Sequence, residues 1–152
     1  MINRFEQFSQ VISGIHRYIQ KLQRNEMVKR GYKGAFALYL VTLNRVKEGL
    51  TSKELCEVCD KDKAAVSRII AEMEEKGLVQ RDRTGVRAYR SKITLTEKGK
   101  ETAEYINERS RLAVKAVSLG AMNEEQREVV YSALDVISKN LQKAVEEGIP
   151  QE

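Results

Sequence analysis

The chain has 152 residues, of which 41% are hydrophobic and 32% charged, with a net charge of +5, one histidine, two cysteines and one proline. That is enough apolar chain for a packed globular core. The longest uncharged run, Gly34–Asn44, is eleven residues and too short to span a bilayer, and Arg4 and Glu6 interrupt the start where a secretory leader is apolar. With too few cysteines for a disulfide framework, and a single histidine against a metal site, the expectation is a cytoplasmic protein with no cofactor.

Charge is uneven along the chain. Residues 1–50 carry +6, residues 51–100 carry +3 and residues 101–152 carry −4. Within Gln80–Lys92, Arg81, Arg83, Arg87, Arg90 and Lys92 face the single acid Asp82. A short stretch this basic is a candidate footprint for phosphates, a solvated hairpin being the plainer alternative.

In chain order, Phe5, Phe8, Ile12, Ile15, Ile19 and Leu22 are spaced 3, 4, 3, 4, 3, a heptad stripe that predicts a helix over 2–24. So apolar a stripe at a terminus calls for a partner surface, internal or on a second subunit. Phe36, Tyr39, Leu40, Leu43, Val46 and Leu50 predict a second helix ending at Gly49. Thr51-Ser52-Lys53-Glu54 is a capping box opening a short helix over 52–59. After the turn Asp60-Lys61-Asp62, a helix over 63–76 buries Val66, Ile69, Ile70 and Met73 and stops at Gly77.

The period then changes. Leu78–Arg81 and Ser91–Leu95 read as strands flanking a basic loop at Gly85. A helix over 97–119 follows, with Ala103, Ile106, Ala113 and Val117 on one face. Asn123, with Gln126 three residues on, caps a last helix over 124–146 that carries Val130, Leu134, Ile137, Leu141 and Val145.

Helix, short helix, tight turn, helix and basic hairpin is the order of a winged helix-turn-helix. The expected architecture is mainly α with a small β-hairpin wing: one domain over 1–152, a reading head at 33–99, and dimerisation helices at 1–24 and 100–147. The helix at 63–76 would bury one side and offer Lys63, Ala64, Ser67, Arg68 and Ala71 to a major groove. The hairpin would track the backbone or place an arginine in the minor groove.

Glu54–Cys59, then Ala65–Val79 with its Val-Ser-Arg and Lys-Gly-Leu, then Leu95-Thr96-Glu97-Lys98-Gly99, resemble the reading head of MarR-type transcriptional regulators, and the flanking helices resemble that family's dimerisation region. The resemblance implies a homodimer that binds a pseudo-palindromic operator as a repressor or activator, relieved in many members by a small ligand or by oxidation. Three features depart from the pattern. The Asp-x-Arg pair of family wings is replaced by Arg87 and Tyr89, Asp60 stands where a turn glycine is usual, and Lys61 takes a usually apolar place. Arg83, Arg87 and Arg90 remain equal candidates for the minor-groove arginine, with Lys61 and Lys92 as phosphate contacts.

Each of these residues has a plainer role too. Thr51 and Ser52 serve as caps whether or not they touch phosphate, and Arg68 has Glu72 at i+4 as a surface partner. Cys56 and Cys59 lie at core positions, where cysteine acts as a small hydrophobe; a redox switch is the alternative. His16 is a surface or cleft residue, and Tyr18, Tyr32, Tyr39 and Tyr105 either line a cavity or fill the core. The expected dimer surface is Phe5, Phe8, Ile12, Ile15 and Ile19 with Leu134, Ile137, Leu141 and Val145. No nucleophile motif, glycine-rich phosphate loop or carboxylate–histidine grouping occurs, so no enzyme is expected. The functional alternatives are a DNA-binding regulator and a winged-helix module that joins a protein assembly without reading DNA.

Overall fold

A computed structural model describes residues 3–82 and 90–150, apart from the side chains of residues 117 and 118. Arg83 and Arg87, the loop at Gly85 and the face position Val117 lie outside this description. The order is α1 (Arg4–Lys29), α2 (Phe36–Arg45), α3 (Ser52–Cys59), α4 (Lys63–Glu75), β1 (Val79–Arg81), β2 (Ile93–Leu95), α5 (Glu97–Ala113), a π-helical turn (Val114–Ser118), a 3-10 turn (Leu119–Ala121) and α6 (Glu124–Glu147). This is a winged helix, mainly α with a small antiparallel strand pair. The chain divides into two compact units, residues 1–111 and 112–152. Among the described residues no helix is long and apolar enough to cross a membrane.

Local chemistry sets most of the ends. Thr51 Oγ1 accepts from the Glu54 amide at 3.2 Å, and the Glu54 carboxylate accepts from the Thr51 amide at 2.7 Å. Asn123 and Gln126 form the same reciprocal box before α6, and Asn3 with Glu6 before α1. Asp62 Oδ1 accepts from the Ala65 amide at 2.8 Å and caps α4. Between α3 and α4, Asp60 adopts φ 51°, the one described non-glycine residue in the left-handed region. A short polar side chain tolerates that conformation better than most, which lets aspartate stand where a glycine is usual.

Three helices depart from their expected ends. α2 stops at Arg45, not Gly49, because Leu50 must extend to pair with Ile93; Leu50 N donates to Ile93 O at 3.1 Å and Ile93 N to Leu50 O at 2.8 Å. Gly49, at φ +83°, makes the intervening turn. The helix expected over 97–119 is regular only to Ala113 and then widens into the π-helical turn. α1, conversely, runs five residues beyond its expected end at residue 24, and its final turn places Met27 in the core of the first unit.

That core gathers Phe36, Leu40 and Leu43 of α2, Leu55 of α3, Val66, Ile70 and Met73 of α4, Leu78, Val79, Ile93 and Leu95 of the strands, and Ala103 and Ile106 of α5. Ile69 is only partly buried beside it. β1 and β2 pair in the register Val79↔Leu95, Gln80↔Thr94 and Arg81↔Ile93. The start of α5 is bolted to the end of α4. Thr96 Oγ1 donates to Gly77 O at 2.6 Å and accepts from the Gly99 amide at 3.1 Å, while Lys98 Nζ donates to Lys76 O at 2.8 Å. A Cβ on Gly99 would lie 1.9 Å from Leu78 O. The Lys-Gly-Leu and Thr-Glu-Lys-Gly segments are thus the two halves of one backbone contact.

Candidate nucleic-acid interface

α4 is anchored on one side by Val66, Ile70 and Met73, all fully buried. Its other side, Lys63, Ala64, Ser67, Arg68 and Ala71, is exposed, as the helical spacing predicts. Glu72 is committed elsewhere: its carboxylate accepts from Lys33 Nζ at 2.5 Å, so the expected i, i+4 partner of Arg68 is taken by the α1–α2 connection. None of the side chains of Lys61, Lys63, Arg68 and Lys92 makes a hydrogen bond or ion pair among the described residues. All four are exposed, their charges solvated and open to an anionic partner.

Next to this face is a groove of about 650 Å³ lined by Thr51, Ser52, Lys53, Cys56, Glu57, Lys63 and Arg90. It joins α3, the start of α4 and Arg90, three residues before β2. Thr51 keeps its hydroxyl hydrogen available, since its oxygen is the capping acceptor. The backbone hydrogen bond from Thr51 holds the Glu54 carboxyl below its ordinary range, so that carboxylate is charged and occupied by the cap. Lys53 belongs to this groove although the sequence reading passed over it; its place beside two caps at the positive end of α3 was the available signal.

Arg81 is a different case. Counted with the basic hairpin in sequence, it points inward: Nε donates to Glu74 Oε1 at 2.5 Å, and a longer contact of 3.5 Å reaches Ser52 Oγ. It therefore ties β1 to α4 and to the first residue of α3, and positions the wing's base. Ser52 is correspondingly engaged by Arg81. Arg90 and Lys92 are exposed.

Cys59 is core filler. It is buried, its thiol donates to Thr42 Oγ1 at 3.7 Å, and burial pushes that thiol up from its ordinary range. Both cysteines are free. The tyrosines do not share a cavity: Tyr39 is in the core, Tyr32 packs on Phe36 at 6.4 Å, Tyr105 bonds Glu26 and Tyr18 is exposed, as is His16. Among the described residues no group of three His, Cys, Asp or Glu is placed to hold a metal.

The apolar stripes stay open to solvent in the single chain. On α1, Phe5 is 70% and Ile15 50% exposed, with Phe8 and Ile12 less so and Ile19 half-buried. On α6, Leu134, Leu141 and Val145 are exposed, Val145 at 86%, and Ile137 is half-buried. Few monomers leave so many large apolar side chains wet.

Residues 31–88 match the MarR family. The fold is shared with a MarR transcriptional regulator from Methanosarcina mazei Go1 (TM-score 0.77, 22% identity, 91% of this chain and 98% of that one). It is shared also with a MarR-family structure from Listeria monocytogenes complexed with a 26-mer DNA (TM-score 0.69, 22% identity, 94% and 96%). A third is MepR, a transcription regulator of the Staphylococcus aureus multidrug efflux pump MepA (TM-score 0.66, 19% identity, 88% and 98%). No curated protein sequence matches the chain.

Proposed function

We propose that this chain, a winged helix whose reading head is of the MarR family, is a homodimeric regulator that represses transcription by occupying a pseudo-palindromic operator. α4 lies in the major groove, Lys63, Ser67 and Arg68 toward base edges, with Ala64 and Ala71 small enough for close approach. Thr51, Lys53, Lys61 and Lys92 meet phosphates, and the wing meets the minor groove. The observation that carries this reading is the exposed cationic face: the side chains of Lys61, Lys63, Arg68 and Lys92 are exposed and make no hydrogen bond or ion pair among the described residues. The Listeria relative, complexed with DNA, supports the same partner.

Dimerisation is supported by the wet stripes of α1 and α6, which a second copy would cover, the N-terminal helix of each subunit against the C-terminal helices of the other. Two identical reading heads then meet DNA across a two-fold axis, with half-sites about one turn, 10–10.5 bp, apart. An assembly module that never reads DNA is the competing function, and it gives no reason for the exposed cations.

A gel shift at two salt concentrations tests the proposal. Retention of duplex at about 50 mM salt, surviving competitor and weakening steeply with added salt, is the expected result. Absence of retention there refutes it. Inserting five base pairs at the operator's centre rotates one half-site by about half a turn and abolishes tight binding. Indifference to the insertion means half-sites read independently.

A further inference from the structure

Glu57 is misplaced if α3 served only the fold. It sits in the last turn of α3, at the negative end of the helix, where an acid is unfavourable and no basic residue offsets it. It is exposed, so packing does not explain it. Lys53 lies four residues before it, in the weaker orientation for a helical ion pair, and Lys61 lies four residues after it, beyond the left-handed turn at Asp60 that breaks the helical register. Neither closes on it: the carboxylate makes no hydrogen bond or ion pair among the described residues. Asp60, the neighbouring acid, has a backbone reason for its identity in its φ of 51°; Glu57 has none. Yet Glu57 lines the groove shared by Lys53, Lys63 and Arg90, an acid set among cations.

We propose that Glu57 is a specificity-determining residue of the DNA surface, a fixed negative charge that penalises phosphates settling into the cationic groove out of register. The inference rests on the reading of this surface as DNA-binding. In an aligned complex, base contacts of α4 decide where the backbone lies. In the aligned complex the backbone rests on Thr51 and Lys53 at one side of this groove; in a non-specific complex the duplex shifts to maximise phosphate–cation contact, and a shift along the groove toward Lys63 and Arg90 brings phosphates onto Glu57. A carboxylate there raises the energy of the second state more than the first, discriminating by repulsion as well as attraction. A phosphate brought to about 4 Å of an unpaired carboxylate in a water-like dielectric weakens binding by a factor of about five.

The test is Glu57→Gln, near-isosteric at an exposed position. Its binding is compared on two duplexes, the sequence that wild-type protein enriches from a random pool and a scrambled version of it, across a salt series. The expected result is scrambled duplex bound about three- to tenfold more tightly and enriched duplex by about twofold or less, so that the specificity ratio falls. The thermal midpoint should hold or rise slightly, since an acid leaves the negative end of a helix. Equal effects on both duplexes, or none, overturn the inference, as does a loss of thermal stability. A loss of affinity confined to one base pair of the enriched sequence also overturns it, making Glu57 a base reader. Wild-type protein that retains neither duplex refutes the DNA reading itself, an outcome distinct from the others.

Discussion

Tyr105 of α5 donates its hydroxyl hydrogen to Glu26 Oε2 of α1 at 3.0 Å, across 79 positions of sequence. Lys29 Nζ donates to the other oxygen at 2.6 Å, Arg109 Nε lies 3.4 Å from Oε2, and the Arg30 guanidinium sits 4.4 Å above the Tyr105 ring. Glu26 is buried and its carboxylate fully partnered. One side chain thus joins the last turn of the N-terminal helix to the helix that leaves the wing.

This makes stability acid-sensitive in a defined direction. The Lys29 ammonium first, then the Tyr105 hydroxyl, holds the Glu26 carboxyl below its ordinary value of 4.5, against the opposing effect of burial. A lowered folded-state value means the contribution is complete above the unfolded value and disappears as pH falls through the folded one, below 4.5. Glu26→Gln should cost about 1–3 kcal/mol at neutral pH and much less at about pH 3. Urea denaturation at both pH values checks it; an equal cost at both would show that the charge is immaterial.

Asp60 carries the left-handed turn between α3 and α4. Glycine adopts that conformation freely, so Asp60→Gly should raise stability by about 0.5–1 kcal/mol, the turn's strain outweighing glycine's extra unfolded-state entropy. Asp60→Val, β-branched, should lower it by about 1–2 kcal/mol. Thermal denaturation ranking valine above aspartate would contradict the turn geometry.

Gly99 is required by contact with a backbone rather than by dihedral angle. A methyl group 1.9 Å from Leu78 O has no flexible neighbour to displace, so Gly99→Ala should force α5 off the end of α4. The expected loss is about 3 kcal/mol, read as a lower denaturation midpoint. A loss within about 0.5 kcal/mol would mean the two segments are not in the described contact.

Lys63 and Arg90 line one groove but should behave differently on DNA. Arg90→Ala should weaken binding to all sequences alike and flatten the salt dependence by about one unit. Lys63→Ala should relax preference at one position of the half-site, at a cost of about 1–3 kcal/mol there. Uniform scaling by both variants would move α4 away from base edges.

Ile12→Asp combined with Leu141→Asp places charge on both wet stripes. If these stripes bury each other across two subunits, sedimentation should report monomer or unfolded protein. A folded, unchanged dimer would relocate the interface.

Much of this protein is written in signals that act over three or four residues. Capping by Thr51 and Glu54 and by Asn123 and Gln126 and the buried face of α4 follow from neighbours in sequence, because a hydrogen bond at i, i+3 or a stripe at i, i+4 needs no distant partner. The exposed side of α4 follows from the same period. What the sequence left open are choices between equivalent charges. Arg81 and Arg90 are alike in the basic hairpin, yet Glu74 claims Arg81. Glu72 has Arg68 at helical spacing and pairs instead with Lys33, 39 positions away. α2 ends at Arg45 because Leu50 is drawn into a pairing with Ile93, and Gly99 is glycine because Leu78 O lies against it. Such long-range contacts are decided when the core closes and brings polar groups within about 3 Å, a distance that local periodicity does not encode.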